Sequence, residues 1–92
     1  MAAVRGPAAP PRTLVFTGAQ MAVEVERTET SLAGQVVPPA PGDVTLWGPD
    51  GELAAATADE LGCFDFEHPP SGLVRLRCRT PSGALLTDWF RI

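Results

Sequence analysis

From Leu14 to Ile92 the chain alternates apolar and polar residues with a period of two, broken every few residues by a turn signal. This constrains the fold more than any other feature, because side chains two apart share one face of a strand. "LVRLRCR" sets Val74, Leu76 and Cys78 on one face and Arg75, Arg77 and Arg79 on the other. "MAVEVE" separates Met21, Val23 and Val25 from Glu24 and Glu26. "SLAGQVV" groups Leu32, Gly34 and Val36, "DVTLWG" pairs Val44 with Leu46, and "CFDFE" pairs Phe64 with Phe66. "RTLVF" and "LLTDWFRI" complete the set, and "ELAAAT" adds a short strand of weak propensity, since alanine is a poor strand former.

The breaks read "TGA", "TET", "PPAPG", "GPDG", "DELG", "HPPSG" and "TPSG". Each supplies Pro, Gly, Asn-like polar residues or a Gly able to take positive φ. No segment carries a capped helical stripe. The expectation is all-β: a seven- to eight-stranded antiparallel β-sandwich over residues 13–92. Residues 1–12, interrupted by Gly6, Pro7, Pro10 and Pro11, are read as a disordered tail without the apolar run of a signal peptide. The cytoplasm is then the expected compartment.

A 92-residue chain makes one domain and buries only about 60 to 65 per cent of its unfolded surface. Its net charge of −4 argues against nucleic acid, whose phosphates call for a basic face. No apolar run reaches the length of a membrane span. Seven arginines with no lysine and no tyrosine suit a GC-rich, bacterial genome.

The stretch from Leu32 to Cys78 resembles the carboxypeptidase regulatory-like, or transthyretin-like, β-sandwich domains. The residues carrying the resemblance are Gly34-Gln35-Val36 with Pro38 and Pro39, then Val44-Thr45-Leu46. Asp59-Glu60-Leu61-Gly62-Cys63-Phe64-Asp65-Phe66 and Pro70-Ser71-Gly72-Leu73-Val74-Arg75-Leu76 follow. Ala58 stands where that family has Thr. The resemblance implies a transthyretin-like fold. Small bacterial domains of this kind are often encoded beside sigma factors or CHAT-type proteases, so it also implies a partner of that class. The fold includes one enzyme, hydroxyisourate hydrolase, which uses several histidines and a C-terminal Tyr-Arg-Gly-Ser. This chain has a single histidine and ends Asp88-Trp89-Phe90-Arg91-Ile92, so a non-enzymatic role is expected.

"ADELGCFDFEH" gathers Asp59, Glu60, Asp65, Glu67 and His68 within eleven residues. It lacks the alternating ligand spacing of a calcium loop, and one His with two distant Cys is a poor zinc supply. No metal or other cofactor is expected. If "HPPSG" joins a hairpin, Glu67 faces Leu73, Phe66 faces Val74, Phe64 faces Leu76 and Asp65 faces Arg75, with Cys63 near Arg77. Cys63 then points outward and Cys78 inward, which predicts two free thiols.

Three surface readings remain. The row Arg75, Arg77, Arg79 is either a recognition stripe for an acidic partner or a set of cross-strand ion pairs with Asp65 and nearby acids. Trp47, opposite in facing to Leu46, is a candidate sugar-stacking residue, while Trp89 is placed at the edge of the core. "LLTDWFRI" is apolar on both faces, so Trp89 or Phe90 is expected to anchor an interface, to a partner or through an edge strand to a second copy. The alternative is that both faces are covered internally, one by the segment around Leu14 and Phe16. The leading expectation is a small accessory or regulatory protein-interaction module. The second is a carbohydrate-binding module using Trp47.

Overall fold

The computed structural model describes residues 12–92. Every regular element among them is a strand: β1 (Arg12–Thr17), β2 (Ala22–Arg27), β3 (Ser31–Val37), β4 (Gly42–Gly48), β5 (Gly51–Ala58), β6 (Cys63–Glu67), β7 (Leu73–Thr80), β8 (Gly83–Leu86) and β9 (Phe90–Arg91). The expected tail falls outside the described residues except for Arg12, which opens β1.

The strands form two antiparallel sheets, ordered β1-β2-β3-β6 and β5-β4-β7-β8, with β9 also paired to β7. The period-two pattern explains the layering. Val23, Val25, Leu32 and Val36 from the first sheet meet Val44, Leu46, Val74, Leu76 and Cys78 from the second, all at most 2% exposed. They form one core cluster with Phe64, Phe66 and Phe90. Each such Val or Leu contributes roughly 1.5–3 kcal/mol relative to an exposed position.

Local chemistry sets the turns. Gly18 donates its N–H to the Met21 carbonyl between β1 and β2 (2.7 Å). Thr28 Oγ1 accepts from the Ser31 N–H between β2 and β3 (3.1 Å). Pro49 and Asp50 form the two-residue loop between β4 and β5, and Thr80 Oγ1 accepts from the Ser82 N–H between β7 and β8. "ELAAAT" is not marginal: it belongs to an eight-residue β5 held along the whole of β4. Pairing has overridden alanine's low propensity. A register shift between Leu46 and Trp47 leaves Leu53 without a β4 partner.

The structure corrects the pairing of β6. "HPPSG" does not close a hairpin; it carries the chain from one sheet to the other. Strand β6 pairs with β3, so Phe66 faces Leu32, Asp65 faces Ala33, Phe64 faces Gly34 and Cys63 faces Gln35. Strand β7 pairs with β4, β8 and β9 instead. His68 at φ 51°, followed by Pro69 and Pro70, turns the chain out of the first sheet. Asp65 is therefore not a neighbour of Arg75, nor Cys63 of Arg77.

The C-terminal segment is also not one strand, which is why nine strands replace the expected seven or eight. After Leu86 the chain bends at Thr87, a buried residue whose Oγ1 accepts from the Leu76 N–H (3.0 Å) and donates to the Asp88 carbonyl (2.9 Å). The bend resets the alternation. Phe90 turns inward, its ring centroid 5.0 Å from that of Phe16, while Trp89 stays 39% exposed. This corrects the placement of Trp89 at the core edge: Phe90 fills that edge, covered by the β1 segment as in the alternative reading, and Trp89 is left on the surface.

Candidate functional site

Strand β7 lies inside the second sheet, between β4 and β8, so its outward residues sit near the middle of that sheet's outer face. Arg75, Arg77 and Arg79 are those residues, spaced about 7 Å apart by strand geometry. On the β4 side they face Trp47, Thr45 and Asp43 respectively. On the β8 side Arg77 faces Leu86 and Arg79 faces Ala84. Beyond β4, Glu52, Ala55 and Thr57 of β5 continue the same face.

Small residues shape this face. Ala55 lies opposite Thr45, between the larger flanks of Trp47 and Asp43. A hollow of about 440 Å³ results, lined among others by Asp43, Thr45, Trp47, Thr57, Arg77 and Arg79. Trp47 is half-buried, and its Nε1–H donates to Thr45 Oγ1 (3.0 Å). The indole N–H is thus satisfied within the protein, and the ring forms a wall of the hollow.

At the other end of the row, the Arg75 guanidinium carbon sits 4.6 Å from the centroid of the Trp89 ring. That separation is within the range of a cation–π contact. The second sheet therefore brings together five of the six residues singled out in the sequence: Arg75, Arg77, Arg79, Trp47 and Trp89. Phe90 is excluded, being 8% exposed inside the fold. The sequence held no direct signal for the hollow, because it depends on β5 lying beside β4 with an alanine at the right register.

The acids of residues 59–67 divide between two roles. Asp59 Oδ1 accepts from the Leu61 and Cys63 N–H groups (2.9 Å each). Gly62, at φ 82°, donates to the Asp59 carbonyl and completes a turn that most side chains resist. Asp65 and Glu67 are exposed on the outer face of the first sheet, as are Glu24 and Glu26. This removes Asp65 as a partner for the arginine row; Asp43, opposite Arg79, is the carboxylate on the adjoining strand. Among the described residues no three of His, Cys, Asp and Glu gather closely enough to hold a metal ion.

The two thiols are free: Cys63 is exposed, and Cys78 is buried with its pKa pushed up from 9.0 to about 11 by desolvation. Among the described residues no helix is long and apolar enough to cross a membrane. No family model matches the chain, and no curated protein or solved structure matches it.

Proposed function

We propose that this chain is a non-enzymatic, transthyretin-like accessory module of the bacterial cytoplasm that binds an acidic protein surface. The contact face is Arg75, Arg77 and Arg79, framed by Trp47 and Trp89. The observation that carries this reading is the shared face itself. Three guanidiniums and two indoles stand on one side of one sheet, with Thr45, Asp43 and Trp47 as their β4 neighbours. Arginine and tryptophan are the residue types most enriched at the energetic centres of protein interfaces. A fork of five donors suits carboxylates, and the indoles add apolar area around it.

The transthyretin-like part of this reading rests on the sequence resemblance, whose residues fall on strands. Gly34-Gln35-Val36 lies on β3, Val44-Thr45-Leu46 on β4, Phe64 and Phe66 on β6, and Leu73 to Leu76 on β7. A CHAT-type protease or a sigma-factor-linked regulator is the partner class this likeness suggests.

The test compares wild-type protein with the R75A/R77A/R79A variant as baits in cell extract at low and high salt, with quantitative mass spectrometry. A protein retained by wild type, lost with the variant and released by salt supports the reading. Equal retention by both baits overturns it. A carbohydrate-binding role is the second reading, favoured by the position of Trp47 beside polar Asp43, Thr45 and Thr57 in the hollow. Binding on a glycan array that disappears with Trp47→Ala and persists in the arginine variant would select it.

A further inference from the structure

Strand pairing sorts the outer face of the second sheet into rungs that run across its strands. Arg79 shares a rung with Asp43, directly opposite on β4. Arg75 shares a rung with Trp47 and, beyond it on β5, Glu52. The rung between them is Ala55, Thr45, Arg77 and Leu86, from β5 through β4 and β7 to β8. Arg91, opposite Leu73, lies at the far end of the face beyond Arg75.

The charges are divided unevenly among these rungs. Each flanking rung carries one acid with its arginine, at spacings where opposite charges on a sheet attract. Arg75 is also half-buried and stacked against Trp89. Arg77 is exposed, and its cross-strand neighbours are Thr45 and Leu86. The middle arginine therefore has no acid on its rung, and its fork of donors faces outward.

The two sides of Arg77 differ. On the β4 side, exposed Ala55 leaves room for the hollow of about 440 Å³. Thr45 Oγ1 accepts from the Trp47 indole N–H (3.0 Å), so the Thr45 O–H remains a donor. Asp43 and Glu52 also line the hollow, both on the flanking rungs. They repel a visiting carboxylate from those rungs and leave the middle one as its place. On the β8 side, Leu86 is 52% exposed and offers apolar area directly beside the guanidinium.

We propose that the acidic partner is held at Arg77 by a single carboxylate, on an extended segment with a large apolar residue two positions from that acid. The inference rests on the arginine face being the protein-binding surface, and narrows it to the middle rung. The carboxylate accepts from the Arg77 guanidinium and the Thr45 O–H, and the apolar side chain covers Leu86. From midway between Thr45 and Arg77 to Leu86 is one and a half strand spacings, about 7 Å. Residues two apart in an extended chain project from one face at about that same separation, so the segment lies across the strands. Arg75 and Arg79 contribute less, the first being stacked on Trp89 and the second facing Asp43.

The experiment titrates isotope-labelled full chain at low salt with three blocked peptides: leucine-glycine-glutamate, leucine-glycine-glutamine and serine-glycine-glutamate. Amide chemical shifts report both the site and the affinity. With the first peptide, shifts centre on Thr45, Ala55, Arg77 and Leu86. Glutamine in place of glutamate, or Arg77→Ala, weakens binding by about tenfold, the effect of one charge-assisted hydrogen bond. Arg77→Lys, which keeps the charge without the fork, falls between wild type and Arg77→Ala. Arg75→Ala and Arg79→Ala each weaken binding by about twofold. Serine in place of leucine, or Leu86→Ala, weakens it by about threefold or more. Absence of binding, equal binding of the glutamate and glutamine peptides, equal binding of the leucine and serine peptides, or shifts away from the middle rung overturn the proposal. If the R75A/R77A/R79A variant loses binding while the three single variants lose equally, the arginine face stands and the assignment to Arg77 falls. If that triple variant binds as wild type does, both fall.

Discussion

The guanidinium of Arg75 stacks over the ring of Trp89, 4.6 Å from centroid to Cζ, and so fastens the segment between β8 and β9 onto the outer face of β7. The next residue points the other way, with Phe90 buried against Phe16. The neighbours therefore have different weights. Trp89→Ala lowers stability by about 1 kcal/mol or less, the range of a partly exposed cation–π contact. Phe90→Ala costs about 3–5 kcal/mol through the cavity it leaves. Urea denaturation of the two variants separates them, and equal losses would contradict the placement.

Cys78 gives the fold an alkaline limit. Its thiol is raised from 9.0 to about 11 by burial, so the folded chain keeps a proton that the unfolded chain releases. The contribution is fully present below pH 9 and is lost as pH rises toward 11, by roughly 3 kcal/mol at most. Lysine and tyrosine, whose titrations usually crowd this window, are absent. Stability measured from pH 8 to 11 in a Cys63→Ser background falls over that range, and Cys78→Ala flattens the fall. A profile unchanged by Cys78→Ala would remove the cause assigned here.

Thr87 closes the bend that follows β8. Its hydroxyl accepts from the Leu76 N–H inside the protein, and the Thr87 N–H returns a bond to the Leu76 carbonyl. Thr87→Val keeps the shape and deletes the acceptor, leaving a buried donor unpaired at a cost of about 1–3 kcal/mol. Thr87→Ser keeps the acceptor and loses only a methyl group. Valine should thus be the more damaging change in thermal denaturation, although it is the closer match in volume.

Gly34 is a space requirement. A Cβ built there stands 2.7 Å from the Glu24 carbonyl oxygen and 2.9 Å from Cε1 of Phe64. The carbonyl belongs to the β2–β3 pairing and does not yield without loosening it. Gly34→Ala is expected to cost about 1–3 kcal/mol. Adding Phe64→Leu relieves part of the clash, so the double variant loses less than the sum of the single losses. Strict additivity in that cycle would show that the ring is not what Gly34 accommodates.

The faces of the strands were legible in the sequence, and their partners were not. Met21, Val23, Val25, Leu32, Val36, Val44, Leu46, Phe64, Phe66, Val74, Leu76 and Cys78 read as inward from alternation alone, and all are buried. Alternation reports whether a side chain faces the core, and the core of a sandwich lies beneath both sheets. It is therefore silent on which sheet a strand joins. That is why the plausible β6–β7 hairpin, consistent on both faces, gave way to β6 beside β3. The terminal segment failed for a related reason: one bend at Thr87 shifts the period and sends Trp89 outward and Phe90 inward. At the candidate site the arginine row was readable because it lies on one strand. Its company was not, because Trp47, Asp43 and Thr45 reach it across β4, and Trp89 reaches it only through that bend.

The outer faces of the two sheets differ in sign. One exposes Glu24, Glu26, Asp65 and Glu67; the other carries Arg75, Arg77, Arg79 and, through its pairing with Leu73, Arg91, and among the described strand residues of that face the acids are Asp43 and Glu52. The domain is consequently an electric dipole directed through its own thickness. In the field of a charged partner such a body rotates before it touches, so encounters begin with one sheet already turned toward the target. Added salt would shorten the reach of this torque to about a Debye length, slowing association while leaving the rate of dissociation from the docked state largely unchanged.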